Sequence, residues 1–114
     1  MRSDPDRLND ILDAIAKIKA KLPRDVEAFQ SDEMLQVWVI HHLQIIGEAA
    51  GGLSRSFRSA HSGVPWAQIV ALRNILVHEY FGLNLHQVWV MAQSELSVLE
   101  GQVRQIQSEA GTGP

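Results

Sequence analysis

Apolar residues recur every three or four positions along most of this chain of 114 residues. In the first segment they form one stripe, and Lys17, Lys19 and Lys21 fall outside it; the stripe consists of Leu8, Ile11, Leu12, Ile15 and Ile18. This spacing is typical of an α-helix with one buried side. No segment shows the alternation of apolar and polar residues that characterises strands, so the sequence predicts an all-α fold.

Capping and helix-breaking residues set the predicted boundaries. Ser3 or Asp4 can cap the first helix, and Leu22 before Pro23 ends it. Gly51 and Gly52 are expected to stop the second helix. The four main helices are predicted at about residues 4–22, 31–50, 65–81 and 84–106, with room for a short helical turn within 24–30 and a polar connection over 53–64.

The second predicted helix is apolar around most of its circumference, which indicates that more than one of its faces is buried. In a chain this short we expect the extra face to be a subunit interface. The sequence therefore predicts one helical domain over residues 1–106, an up-down bundle of four to five helices that forms a homodimer. Residues 107–114 are expected to be a frayed tail.

Composition narrows the class of protein. The chain has no cysteine, which excludes disulfides and thiolate metal sites. No apolar run is long enough to span a bilayer and no signal peptide is evident, so we expect a soluble, cytoplasmic protein. The net charge of −3 is unlike that of a general nucleic-acid binder, because phosphate neutralisation supplies most of such a protein's affinity. Any contact with RNA must be built from a few local cations.

The segment RNILVHEY, residues 73–80, contains the side chains that could take part in a chemical reaction. On a helix with Arg73 at zero, Asn74 lies near 100°, His78 near 140° and Tyr80 near −20°. Four polar groups thus share less than half of the circumference, and we expect Leu72, Ile75 and Leu76 to take the opposite, buried side. Asn74 and His78 are i,i+4 neighbours that can meet directly.

These groups suit phosphoryl transfer. The arginine fork matches phosphate oxygens, and histidine can move a proton near neutral pH. The alternative is that Arg73 is a solvated cation and His78 a satisfied core histidine, since Arg and His five residues apart occur in many helices by chance.

The same segment resembles the Arg-polar-x-x-x-His-x-Tyr signature of the HepT group of HEPN proteins. The similarity extends over the block GVPWAQIVALRNILVHEYFGLNLHQVWVMAQSELSVLE, over IIGEAAGGL at residues 45–53, and over RLNDILDAIAKI near the start. In all it covers about residues 7–106.

The resemblance implies a HEPN-like helical bundle whose motif helices face one another in a dimer. It implies a metal-independent endoribonuclease toxin without a cofactor, whose partner is a nucleotidyltransferase antitoxin. Arg73 and His78 would be the catalytic pair, assisted by Asn74, and Tyr80 would accept AMP from the antitoxin. We expect an RNA substrate, with no DNA and no membrane partner.

Other polar residues are weaker candidates. Glu48 could face the cleft and orient a basic group, although a structural role is the simpler interpretation. Arg55 and Arg58, in the connection before the motif helix, could extend a phosphate-binding surface or be solvated. His41 and His42 are adjacent and point about 100° apart, which disfavours a shared metal. The three tryptophans, Trp38, Trp66 and Trp89, lie within apolar stripes and are expected in the core.

Three functions remain open on the sequence. The first is RNA cleavage by attack of the ribose 2′-hydroxyl, which yields a 2′,3′-cyclic phosphate. The second is a non-catalytic HEPN module that binds a nucleotide, RNA or a protein partner. The third is a helical bundle without a site, which predicts that Arg73 points into bulk solvent.

Overall fold

The computed structural model describes residues 2–78 and 82–111, and this part of the chain consists of helices and short connections. It contains four long helices and two short ones, which confirms the all-α prediction. In chain order they are α1 (Asp4–Lys21), α2 (Val26–Gln30), α3 (Glu33–Gly52), α4 (Arg55–Ala60), α5 (Trp66–His78) and α6 (Leu85–Gly111).

Helix α1 begins and ends where its sequence predicts. Ser3 caps it, and a reciprocal capping box joins Ser3 to Asp6, so that two of the unpaired groups at the helix start are satisfied. Leu22 is extended and ends the helix before Pro23. The predicted stripe is buried except at Leu12, which packs against the core from its edge.

Helix α3 is the centre of the bundle, because α1 packs along one side of it and α5 along another. Its buried residues point to both neighbours, and they include Val39, Ile40, Leu43, Ile46, Ala49 and Ala50. The apolar circumference that suggested a subunit interface is therefore largely covered within the chain. Only its first turns leave large apolar side chains exposed, at Met34 and Val37.

Helix α3 ends at Gly52, so the predicted stop at Gly51 and Gly52 is confirmed. Both glycines are helical, and none of the described glycines has a positive φ, so the helix ends without a left-handed glycine cap. The small size of Gly52 is used for packing. A Cβ on Gly52 would lie 2.1 Å from Cζ of Arg7, whose side chain crosses the helix there. Leu53 follows as an extended cap residue.

The connection over residues 53–64 contains a helix that the sequence analysis missed. Helix α4 is capped by Ser54, whose hydroxyl accepts a hydrogen bond from the backbone N–H of Phe57. Its Phe57 ring lies 4.5 Å from the ring of His61 and 6.2 Å from that of Trp66. Most residues of this segment are polar, so the sequence analysis did not reveal that Phe57 packs the short helix α4 against the start of α5.

Helix α6 runs along α1 and α2 and closes the bundle. Asn84 caps it, as predicted, by accepting a hydrogen bond from the backbone N–H of Gln87 at 3.1 Å. The helix continues to Gly111, whereas the sequence predicts a frayed tail from residue 107. Gln107 donates to Asn9 on α1 at 2.9 Å, which holds this last stretch against the bundle.

Within the described residues, no helix is both long and apolar enough to cross a membrane.

The start of α1 is joined to the start of α4 by one carboxylate. Asp4 accepts from the backbone N–H of Ser54 at 2.8 Å and from its hydroxyl at 2.7 Å. These two hydrogen bonds, the backbone one first, lower the pKa of Asp4 below its ordinary value. Asp4 thereby links the first helix to the connection that leads into α5.

We expect Asp4→Asn to lower the free energy of unfolding by about 1 kcal/mol at neutral pH, because one acceptor oxygen and its charge are lost. A carboxyl with a lowered folded-state pKa stabilises fully above its unfolded pKa of about 4 and loses that effect as pH falls through the folded value. The difference between variant and parent should therefore shrink as the pH falls below about 4. Urea unfolding at several pH values measures it.

Asp13→Asn is the matched control, since Asp13 pairs only with Lys17 one turn away in an exposed contact of 3.2 Å. An Asp4→Asn variant as stable as this control at pH 7 would contradict the role given to Asp4.

Candidate active site on helix α5

Arg73 lies on the side of α5 that packs against α3, not on a separate polar face. The same side of α5 carries the buried residues Trp66 and Leu76, which are seven and three residues away. On a helix these positions lie within about 60° of Arg73. The sequence analysis placed the apolar side opposite Arg73, and that placement is wrong. The exposed fraction of Ile75, assigned there to the buried side, is 46%.

Gly47 makes room for Arg73 at the crossing of α3 and α5. A Cβ built on Gly47 would lie 2.1 Å from Cβ of Arg73, 2.8 Å from its Cγ and 3.3 Å from its Cα. Such distances are far below van der Waals contact, so no other residue fits at position 47 with the helices this close. The stem of the arginine therefore lies directly on the backbone of α3.

The guanidinium of Arg73 then emerges at the edge of this contact. Its Nη2 donates to Oε1 of Glu48 at 3.3 Å, and its Nη1 donates to Oδ1 of Asn74 at 3.2 Å. Its Nε is buried and, among the residues that the structure describes, has no hydrogen-bond partner. The side chain of Arg73 is 31% exposed and that of Glu48 is 59% exposed. The guanidinium of Arg73 thus contacts Glu48 and Asn74 and remains partly exposed to solvent.

Asn74 and His78 occupy the solvent side of α5. Both are exposed, and His78 is the last described residue of the helix. Asn74 bonds to the arginine and not, within the described part of the chain, to His78, so the direct contact that their i,i+4 spacing allows is not observed. Tyr80 lies outside the described residues.

The solvent face of α5 is lined by small and apolar residues around these polar groups. Ala67, Ala71 and Ile75 are exposed along it, at successive i,i+4 positions, and Asn74 and His78 flank the row. A second helix could approach such a face closely, because two alanines keep its backbone accessible.

Glu48 is the auxiliary candidate that the structure brings to the site, through its ion pair with Arg73. Arg55 and Arg58 lie on α4, Arg55 exposed and Arg58 half-buried, and in the described residues neither forms an ion pair. The structure therefore joins Glu48, Arg73 and Asn74 and leaves the α4 arginines apart from them.

The remaining sequence candidates have packing roles. His42 is buried at 6% exposure and its Nδ1 lies 2.8 Å from the carbonyl oxygen of Trp38, whereas His41 is exposed. Each tryptophan donates its indole N–H to a backbone carbonyl: Trp38 to Lys17, Trp66 to His61 and Trp89 to Pro23. Among the residues that the structure describes, no three His, Asp or Glu side chains cluster as metal ligands would.

An apolar groove of about 550 Å³ lies between α3, α5 and α6, and Arg73, Glu48 and Asn74 are not among its lining residues. Leu43 and Ile46 form its α3 side, Ile69 and Leu72 its α5 side, and α6 contributes Met91, Leu96 and Leu99. The groove exists because α5 packs chiefly against α3.

Gly47 is the residue of the candidate site whose packing role the sequence analysis missed. Its neighbour Glu48 was a candidate for its charge, whereas a helical glycine has no side chain that could take part in chemistry. The available signal was its position inside a strongly apolar helix, where glycine is unfavourable by about 1 kcal/mol relative to alanine and so usually has a packing reason.

Comparison with known proteins identifies the family to which this geometry belongs. A family model described as "Ribonuclease HepT-like" matches residues 11–106. The chain is 42% identical over 80 residues to a protein of Caldanaerobacter subterraneus subsp. tengcongensis named "Putative RNase", covering 70% of this chain and 71% of that protein.

It is also 33% identical over 107 residues to the "Probable ribonuclease HepT" of Thermococcus cleftensis, covering 92% of this chain and 96% of the relative. A third relative, a "Putative RNase" of Methanocaldococcus jannaschii, is 35% identical over 79 residues, 69% of this chain and 72% of that protein. No solved structure matches the chain significantly.

We expect Gly47→Ala to destabilise the fold by about 1–3 kcal/mol, because the added methyl group forces α3 and α5 apart at Arg73. Gly51→Ala is the matched control on the same helix, facing the same neighbour. Its Cβ would lie 3.5 Å from Cγ2 of Val70, an ordinary contact. Since alanine is the better helix former, this control should match or exceed the parent in stability by up to about 1 kcal/mol.

Thermal and urea unfolding of both variants measure this difference in stability. Equal stabilities for Gly47→Ala and Gly51→Ala would show that the crossing at Gly47 is not tightly packed.

Proposed function

This chain belongs to the HepT-like ribonuclease family, and from that premise we propose that it is a metal-independent endoribonuclease acting as the toxin of a toxin–antitoxin pair. The proposal is supported by one observation above the others: Arg73 is anchored at the crossing of α3 and α5 yet offers its guanidinium edge to solvent. A solvated surface arginine, as a bundle without a site would have, needs no such anchoring.

The proposed reaction is cleavage by transesterification. The ribose 2′-oxygen attacks the adjacent phosphorus as the bond to the 5′-oxygen breaks, which leaves a 2′,3′-cyclic phosphate and a 5′-hydroxyl. A base takes the proton from the 2′-hydroxyl and an acid returns one to the 5′-oxygen, and His78 is the group proposed for this proton transfer. Arg73 stabilises the charge that builds on the phosphorane oxygens. Because the nucleophile is already part of the substrate, the reaction needs no metal-bound hydroxide.

The spacing of the two groups favours a site built from two copies. Arg73 and His78 are about 7.5 Å apart along the axis of α5 and about 140° apart around it. They therefore approach a single phosphate more readily when Arg73 of one copy faces His78 of another. The row Ala67, Ala71 and Ile75 on the exposed face of α5 supports a homodimer in which two α5 helices meet around a two-fold axis.

The test is cleavage of end-labelled RNA by the purified protein in EDTA, with the products analysed for 2′,3′-cyclic phosphate ends. We expect His78→Ala to reduce cleavage at least 100-fold, since general acid–base catalysis contributes about that much or more. The variant should sediment as the same oligomer as the parent, because His78 is exposed and supports no core packing.

His86→Ala is the matched control, an exposed histidine at the start of α6, and it should cleave like the parent. Full activity in His78→Ala would overturn the role of His78. Tight RNA binding without any cleavage by the parent would instead favour the non-catalytic HEPN module.

We further propose that a nucleotidyltransferase antitoxin silences the toxin by transferring AMP from ATP to Tyr80, with pyrophosphate as the leaving group. Tyr80 is the one tyrosine of the chain and follows His78 by two residues. An added phosphodiester would bring negative charge and bulk next to the groups that must receive an RNA phosphate.

We expect the chain to incorporate label from α-³²P-ATP in the presence of the antitoxin, and Tyr80→Phe to abolish the labelling. Because no other tyrosine is present, undiminished labelling of Tyr80→Phe would place the modification on another type of side chain. Loss of cleavage in step with labelling of the parent is the expected functional result.

A further inference from the structure

Arg73 has five N–H donors, and the structure divides them unequally between protein and solvent. The Nε–H group is buried, so a ligand cannot reach it. Each Nη atom carries two N–H bonds, and one bond on each is directed to Glu48 or Asn74. Each Nη therefore keeps a second N–H that has no protein acceptor among the described residues and is left for a ligand.

This division has a consequence for the site. An arginine can grip a phosphate through Nε and one Nη or through its two Nη atoms. The burial of Nε excludes the first mode for Arg73. An anion that binds Arg73 through two donor atoms must therefore use Nη1 and Nη2, and the plane of the guanidinium decides where the two phosphate oxygens sit.

We propose that Gly47 and Glu48 are positioning residues for Arg73. The absence of a side chain at Gly47 lets the arginine stem lie on α3, and the carboxylate of Glu48 fixes the guanidinium plane so that its Nη1–Nη2 edge faces the RNA phosphate. This inference rests on the proposed function for its substrate, whereas the positioning itself is a property of the free protein.

Because Glu48 is negatively charged, its effect on the orientation of Arg73 can be distinguished from its electrostatic effect on RNA binding. A carboxylate beside the phosphate site repels RNA, so its removal should by itself strengthen binding and never slow the reaction. An exposed ion pair also contributes little to stability, and Glu48 is 59% exposed. A lower kcat in a stable Glu48→Ala variant that Glu48→Gln restores therefore indicates lost orientation of Arg73, because glutamine accepts the hydrogen bond but cannot replace glutamate in proton transfer.

We expect Glu48→Ala to lower kcat about tenfold, with KM unchanged or reduced, because a misplaced catalytic group costs rate more than binding. Glu48→Gln should recover kcat to within about threefold of the parent, since its amide oxygen can accept the same hydrogen bond from Nη2. The melting temperature should stay unchanged in both variants.

Asp13→Ala is the matched control for charge. It removes one carboxylate from another exposed ion pair, on α1, and should leave both kcat and KM as in the parent. A kcat for Glu48→Ala within twofold of the parent would overturn the positioning role, as would a Glu48→Gln variant as slow as Glu48→Ala.

A second measurement keeps the proposal testable if the protein cleaves no RNA. The buried Nε–H of Arg73 should give a slowly exchanging cross-peak in ¹⁵N–¹H spectra, assigned by its loss in Arg73→Lys. In Glu48→Ala this cross-peak should be lost to solvent exchange, while that of Arg7, whose Nε is also buried, should remain.

The two measurements separate the two claims. A parent without cleavage, whose Arg73 signal nevertheless depends on Glu48, would refute the nuclease and leave the positioning intact. An Arg73 signal that is unchanged in Glu48→Ala would refute the positioning whether or not RNA is cleaved.

Discussion

The close crossing of α3 and α5 at Gly47 is the contact on which the rest of the site depends. Every backbone-to-backbone approach of two helices is limited by the side chains between them, and here one of the two side chains is missing. The space is taken by the stem of Arg73. The bundle thus uses a catalytic candidate as a packing residue, and the position of its charged end follows from the packing of its carbon atoms.

This arrangement has a thermodynamic cost that the surrounding contacts must offset. A buried Nε–H without an acceptor is unfavourable by roughly 1–3 kcal/mol, and arginine is a poor choice for a helix contact if stability alone is considered. The large apolar core between α1, α3 and α6 supplies the stability instead. An unpaired polar group at one side chain within a well-packed core is the pattern expected where a protein gives up stability for chemistry.

Local rules predicted most of the fold, because caps and apolar stripes act within one or two turns. Ser3, Leu22 and Asn84 bound their helices as expected. The error around Arg73 arises because this residue faces another helix and the sequence does not reveal which helix crosses where. The identity of the motif residues was readable from the chain, but the anchoring of Arg73 on α3 needed the tertiary structure.

The acidic charge of the chain, −3, also bears on how such a site would select RNA. With few cations near Arg73 and a carboxylate beside it, general attraction for the phosphate backbone is weak, and the salt dependence of binding should be shallow. Recognition of RNA would then rely on the one oriented guanidinium of Arg73 in each copy of the chain. A dimer with a two-fold axis would have two of them. Under the proposed function, such a site would discriminate by the shape of the RNA presented to its oriented arginine, because a long stretch of phosphates would offer it little additional binding energy.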